Sequence, residues 1–149
     1  CGNFGCLETV ASNEAIIEHA QQLLAQGHPS SLSYDQSLTI EAICQAAEQG
    51  DELARQVLVK VGNHLGKAIA MTVNLFNPQL VVIAGKITAA KSVVFPAIER
   101  CVENQSLPSF HQKLAIVSAD LQTQPTMAAF ALVKRAMLNG ELLQQLLEE

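Results

Sequence analysis

The chain has 149 residues, 49% of them hydrophobic and 15% charged, with a formal net charge of −5. That balance is enough for the core of about one domain and excludes intrinsic disorder. The acidic balance, with Lys and Arg scattered singly apart from Lys134-Arg135, argues against a nucleic-acid grip by this segment, and no apolar run approaches the roughly 20 residues that span a bilayer.

The first stretch, Cys1-Gly2-Asn3-Phe4-Gly5-Cys6-Leu7-Glu8, places two cysteines on a glycine-containing loop. A helix is expected from Leu7 to about Ala11. Glu8 falls in its first turn, where unpaired N–H groups and the helix dipole favour a carboxylate. Cys1 and Cys6 supply half of a tetrahedral metal site, and their spacing alone leaves open whether a metal binds. With no basic stretch leading into an apolar run, no signal peptide is read, and the expected location is the cytoplasm. There a disulfide is less expected than a metal. His19 on a polar helix face, His28 in a loop, and the distant His64 and His111 carry no spacing argument for a third ligand.

Ser12 is a plausible N-cap for a helix with the apolar stripe Ile16, Ala20, Leu23 and Leu24, closed by Gly27. Residues 28–37 form a polar connection. Thr39 caps a helix carrying Ile40, Ile43, Cys44 and Ala47, closed by Gly50. Asp51 caps the longest helix, about Glu52 to Leu75, with Val57, Leu58, Val61, Leu65, Ala68, Ile69, Thr72, Val73 and Phe76 on its stripe. Gly62 and Gly66 lie one turn apart within it. Each costs up to about 1 kcal/mol against Ala, so close approach of another backbone is the expected compensation. Asn77-Pro78 ends the helix.

The pattern then changes. Leu80-Val81-Val82-Ile83-Ala84 is a continuous apolar run, expected to be a strand buried on both faces of a helix-covered parallel sheet. Gly85 follows at the carboxyl end, where open α/β sheets bind ligands. A helix is expected from about Thr88, kinked or restarted at Pro96, with Cys101 as a small core residue like Cys44. Leu114 to Ser118 reads as a second strand. Met127, Phe130, Ala131, Met137 and Leu138 mark another helix, broken at Asn139-Gly140. Glu141 to Leu147 reads as a short leucine-rich helix. Helices followed by strand–helix–strand–helix define an α/β chain with right-handed crossovers. Two strands do not make a stable open sheet, so the sheet is expected to be incomplete and the chain one piece of a larger protein. No phosphate-binding glycine loop and no nucleophile triad is present.

The string Cys-Gly-Asn-Phe-Gly-Cys-Leu-Glu resembles the signature of the ROK family of sugar kinases and sugar-responsive repressors, roughly Cys-x-Cys-Gly-x-x-Gly-Cys-Leu-Glu with a histidine upstream. Cys1 and Cys6 stand at the second and third cysteine positions; the first cysteine and the histidine fall before Cys1. Asn74-Leu75-Phe76-Asn77-Pro78-Gln79, Val82-Ile83-Ala84-Gly85, Phe95-Pro96-Ala97-Ile98 and the stretch from Phe130 to Gly140 look like the repressor branch. The resemblance implies an actin-like, ribonuclease-H-like fold, with residues 1–149 as the C-terminal part of a sugar-binding and dimerisation domain. The N-terminal lobe and winged helix-turn-helix lie outside it. It implies structural zinc, held in part by Cys1 and Cys6, and Glu8 as an acceptor for sugar hydroxyls. It further implies a repressor induced by N-acetylglucosamine 6-phosphate, acting on operator DNA through the absent head and working as a homodimer or higher homo-oligomer without membrane insertion. The alternatives are a ROK sugar kinase and a regulator controlled by a sugar-transporter protein. Lys86 and Ile87 stand where the kinases carry a glycine-rich turn, which weakens the kinase expectation.

Overall fold

The computed structural model describes residues 5–34, 37–119 and 125–140. Residues 1–119 and 120–149 form two compact units. Cys1 and the leucine-rich helix expected over Glu141 to Leu147 lie outside the described residues, as does the side chain of Met127.

The first unit is built from helices that start where their caps place them. A short α1 (Glu8–Ala11) leads into α2 (Asn13–Ala25), whose cap Ser12 Oγ accepts from the Ala15 N–H at 3.1 Å. Thr39 Oγ1 accepts from Ala42 N at the start of α3 (Ile40–Glu48), and Asp51 Oδ1 from Ala54 N at the start of α4 (Glu52–Phe76). Each cap satisfies a donor that the first helical turn leaves unpaired. Asn77 closes α4 with φ 47°, a left-handed conformation that its short polar side chain tolerates.

Beyond Asn77 the chain runs through β1 (Leu80–Ile83), a 3₁₀ turn (Lys86–Ala90), α5 (Lys91–Gln105), α6 (Pro108–His111) and β2 (Ala115–Ser118). The two strands pair in parallel, Leu80 with Ala115 through Ile83 with Ser118. The core joins Ile16 of α2, Ile43 of α3, Val57 and Leu58 of α4, and Val94 and Ile98 of α5. Cys44 and Cys101 are both buried, as their positions in the apolar stripes require. The glycine pair on α4 does what its helical cost implies. A Cβ at Gly62 would lie 2.9 Å from Ala97 Cβ, and one at Gly66 would lie 2.6 Å from Cys101 Cβ. The α4 and α5 backbones meet at those two points.

Three expectations change. The helix expected from Thr88 begins at Lys91, after the 3₁₀ turn, and it runs through Pro96 without a break. Pro96 is exposed, and Phe95 and Ala97 on either side of it are buried, so packing holds the helix together across the missing N–H. The strand β1 is not buried on both faces, and β2 alternates in the same way. Ile83 and Ile116 pack toward the core, while Leu80 and Val82 are 54% exposed and Val117 is exposed as well. In this unit helices cover one face of the sheet only, and period-2 alternation sends every second side chain to the open face. The stripe on α4 also ends early: Val73 is buried but Leu75 and Phe76 are exposed.

The second unit contains α7 (Pro125–Leu138), ended by Gly140 at φ 76°. Its described apolar side chains, Phe130, Leu132, Val133, Met137 and Leu138, are exposed.

Candidate functional site

Cys6 and Glu8 sit on a turn whose backbone closes on itself. The Cys6 carbonyl accepts from the Thr9 N–H at 3.1 Å and from Thr9 Oγ1 at 2.7 Å, and the Leu7 carbonyl accepts from Val10 N and Ala11 N. Gly5 enters the turn at φ 80°, which an L side chain rarely adopts. Glu8 is exposed in the first turn of α1, and Cys6 is half-buried beside it. Because α1 packs against both α2 and α4, the position of Glu8 is set by two long helices. Among the described residues no group of three or more His, Cys, Asp or Glu could hold a metal. Cys1, the other expected thiolate, lies outside them. Cys6 suits zinc in donor chemistry and in being held on a rigid turn.

The turn after β1 closes on its own backbone. Gly85 adopts φ 122° and ψ 172°, and its carbonyl accepts from Thr88 N and Thr88 Oγ1. Ile87 enters the core, and Lys86 pairs with Glu41 at 2.7 Å on the surface. The Cys44 thiol contacts the Lys86 carbonyl at 3.8 Å; burial pushes that thiol's pKa up, so it stays protonated. With one glycine in the turn, followed by Lys86 and Ile87, it lacks the run of glycines by which a phosphate cradle bares its backbone.

Behind α1, between α2 and α4, is a cavity of about 190 Å³. Thr9 and Val10 of α1 line it, with Glu18 and His19 from α2 and Lys60 and His64 from α4. Lys60 Nζ donates to His19 Nε2 at 3.3 Å. An ammonium has no acceptor, so this contact requires the His19 imidazole to be neutral and protonated on Nδ1. Burial, and then the Lys60 charge, hold the His19 pKa below its ordinary value, against a hydrogen bond that the ring donates to Gln22. Periodicity assigned His19 to a polar helix face and gave it no partner. The contact joins residues 41 apart, and the only local sign of it is the i, i+4 spacing of Lys60 and His64 along α4.

Residues 1–136 match the model of the ROK family, and the chain belongs to that family. Members of the family have the actin-like ATPase fold, and the mixed helices and small parallel sheet of this chain are part of it. The chain is 55% identical over 148 residues to the DNA-binding transcriptional dual regulator NagC of Escherichia coli K12, covering 99% of this chain and 36% of the relative. It is 45% identical, with the same coverage, to the DNA-binding transcriptional repressor Mlc of the same organism. A crystal structure of a ROK family transcriptional regulator, a homologue of the E. coli Mlc protein, superposes with a TM-score of 0.93 at 46% identity, covering all of this chain and 38% of that one. The chain thus spans about 36% of the length of the curated relatives it matches. NagC and Mlc are DNA-binding transcriptional regulators. Among the described residues no helix is long and apolar enough to cross a membrane.

Proposed function

We propose that residues 1–149 form the C-terminal, effector-binding and dimerising part of a cytoplasmic transcriptional repressor of amino-sugar metabolism, induced by N-acetylglucosamine 6-phosphate. The observation that carries this reading is the 55% identity to NagC across 99% of the chain. Glu8 accepts hydrogen bonds from the sugar ring hydroxyls. Cys1 and Cys6 hold structural zinc, which when bound cross-links the loop before α1. The turn from Cys6 to Thr9 then keeps the Glu8 carboxylate at one place in the cleft. The exposed end of the α4 stripe and the leucines of residues 142–147 serve as subunit contacts. The effector releases the operator only to the extent that it binds one of two states of the protein more tightly.

The test is operator release by the full-length protein. N-acetylglucosamine 6-phosphate is expected to dissociate the DNA complex, and no release at saturating effector would refute the reading. Steady ADP production from ATP, magnesium and N-acetylglucosamine would point instead to a sugar kinase. Release that needs a transporter protein, with no thermal stabilisation by any amino-sugar phosphate, would point to control by that partner.

Two substitutions probe the residues. A hydrogen bond to a charged acceptor is worth about 1.5–3 kcal/mol, so Glu8→Ala is expected to shift the induction midpoint by about tenfold to a hundredfold while zinc content stays constant. An unchanged induction curve would remove Glu8 from the site. Cys6→Ser is expected to lose zinc, because a hydroxyl does not replace a thiolate ligand. Retention of one zinc per subunit by elemental analysis would refute that assignment.

A further inference from the structure

The cavity behind α1 is unlike a core void. Its walls carry Glu18 and His19 from α2 and Lys60 and His64 from α4, while α1 contributes Thr9 and Val10 and no charge. Glu18 and Lys60 are exposed and His19 and His64 half-buried, so the recess opens to solvent and a dissolved ion can reach all four. Among the described residues Lys60 makes no ion pair, and its ammonium is directed at a neutral imidazole. That is a weak use of a charge. His64, one turn along the same helix, adds a second imidazole to the wall.

These groups become complementary when an oxyanion enters. Lys60 can turn its N–H groups from His19 to the anion. His19 then gains a proton on Nε2 and donates as well, and His64 is available as a third donor. At about 190 Å³ the space is smaller than the roughly 300 Å³ at the low end for drug-sized ligands, so it suits a small tetrahedral anion and not a whole sugar phosphate. From this we infer that the cavity between α2 and α4 is a second ligand site, distinct from the sugar cleft, that takes a phosphate dianion on Lys60, His19 and His64. Glu18 is the one opposing charge on its wall and limits the affinity. Thr9 and Val10 form the side toward α1, so an occupant braces the element that carries Glu8.

Free phosphate and the phosphate group of a small ester share this chemistry, and titration calorimetry of the full-length protein at fixed ionic strength separates them. Sodium phosphate is expected to give a saturable signal of one site per subunit. Lys60→Gln should weaken it at least about tenfold, the loss of one charge-assisted hydrogen bond. Glu18→Gln should tighten it, a gain that a merely structural role for the cluster does not produce. The His19 imidazole resonance should titrate at higher pH with phosphate present, and Glu8→Ala should leave phosphate binding intact whatever it does to the sugar response. Binding of phosphate alone assigns the free ion; competition by glycerol phosphate assigns a monoester. Absence of a saturable signal from the unaltered protein overturns the inference. So does equal binding by folded Lys60→Gln and His19→Gln proteins.

Discussion

Gly66→Val is expected to destabilise the protein by about 3 kcal/mol or more, the upper end of what overpacking costs. The Cβ alone would lie 2.6 Å from Cys101 Cβ and 2.9 Å from the Ile98 carbonyl oxygen, and its branches would extend further into α5. Neither obstacle is the free end of a flexible chain, so relief requires α4 and α5 to separate. That separation would loosen Val94 and Ile98, whose backbones meet the α4 glycines, and the core they share with Val57 and Leu58. Gly66→Ala tests the same point more gently, because Ala recovers about 1 kcal/mol of helix propensity against the clash. Lys67→Ala, one residue along and exposed, is the control and should move the urea midpoint little. Cys101→Gly in the Gly66→Ala background should restore part of the loss, since it removes the nearer obstacle, and the coupling reads out the contact. A Gly66→Val protein with the midpoint of the unaltered chain would mean that the two helices do not meet in this way.

How much of this was legible in advance depends on whether the cause is local. Ser12, Thr39 and Asp51 were readable as caps because a cap acts on a backbone N–H three residues away. Gly62 and Gly66 were readable because a helical glycine has a cost that demands a reason, although not which residues of α5 would supply it. The Cys6–Glu8 turn was readable from its motif, and the structure adds the Thr9 hydrogen bonds that close it. The open face of the sheet was not readable. Leu80 and Val82 are as apolar as buried strand residues, and composition does not tell a covered face from one awaiting a cover. Pro96 does not restart α5, because the breaking tendency of proline is local while the packing against it comes from α4. The cavity was hidden for the same reason: His19 and Lys60 are brought together only by the docking of α2 on α4.

Asp51→Ala should lower stability by about 2–5 kcal/mol, combining a lost N-cap of about 0.5–2 kcal/mol with hydrogen bonds to a charge worth about 1.5–3 kcal/mol. One carboxylate does two jobs. Its Oδ1 caps the 25-residue α4 through Ala54 N at 2.9 Å. Its Oδ2 accepts from Ser31 N at 2.6 Å and from the Ser30 and Ser31 hydroxyls at 2.9 Å each, tying the polar connection after α2 to the start of α4. Burial pushes the Asp51 pKa up, but the four donors outweigh it and hold the carboxyl below its ordinary value of 3.8. A depressed folded pKa contributes stability that is complete above that ordinary value and is lost as pH falls through the folded one. Acid unfolding of the unaltered protein should therefore include a limb below 3.8 that Asp51→Asn removes, because the amide keeps a carbonyl acceptor for Ala54 N but carries no charge to titrate. Chemical unfolding at neutral pH should rank Asn between Asp and Ala. An Asp51→Ala protein as stable as the unaltered one at neutral pH, or an acid limb unchanged in Asp51→Asn, would show that this carboxylate does not hold the loop and helix together.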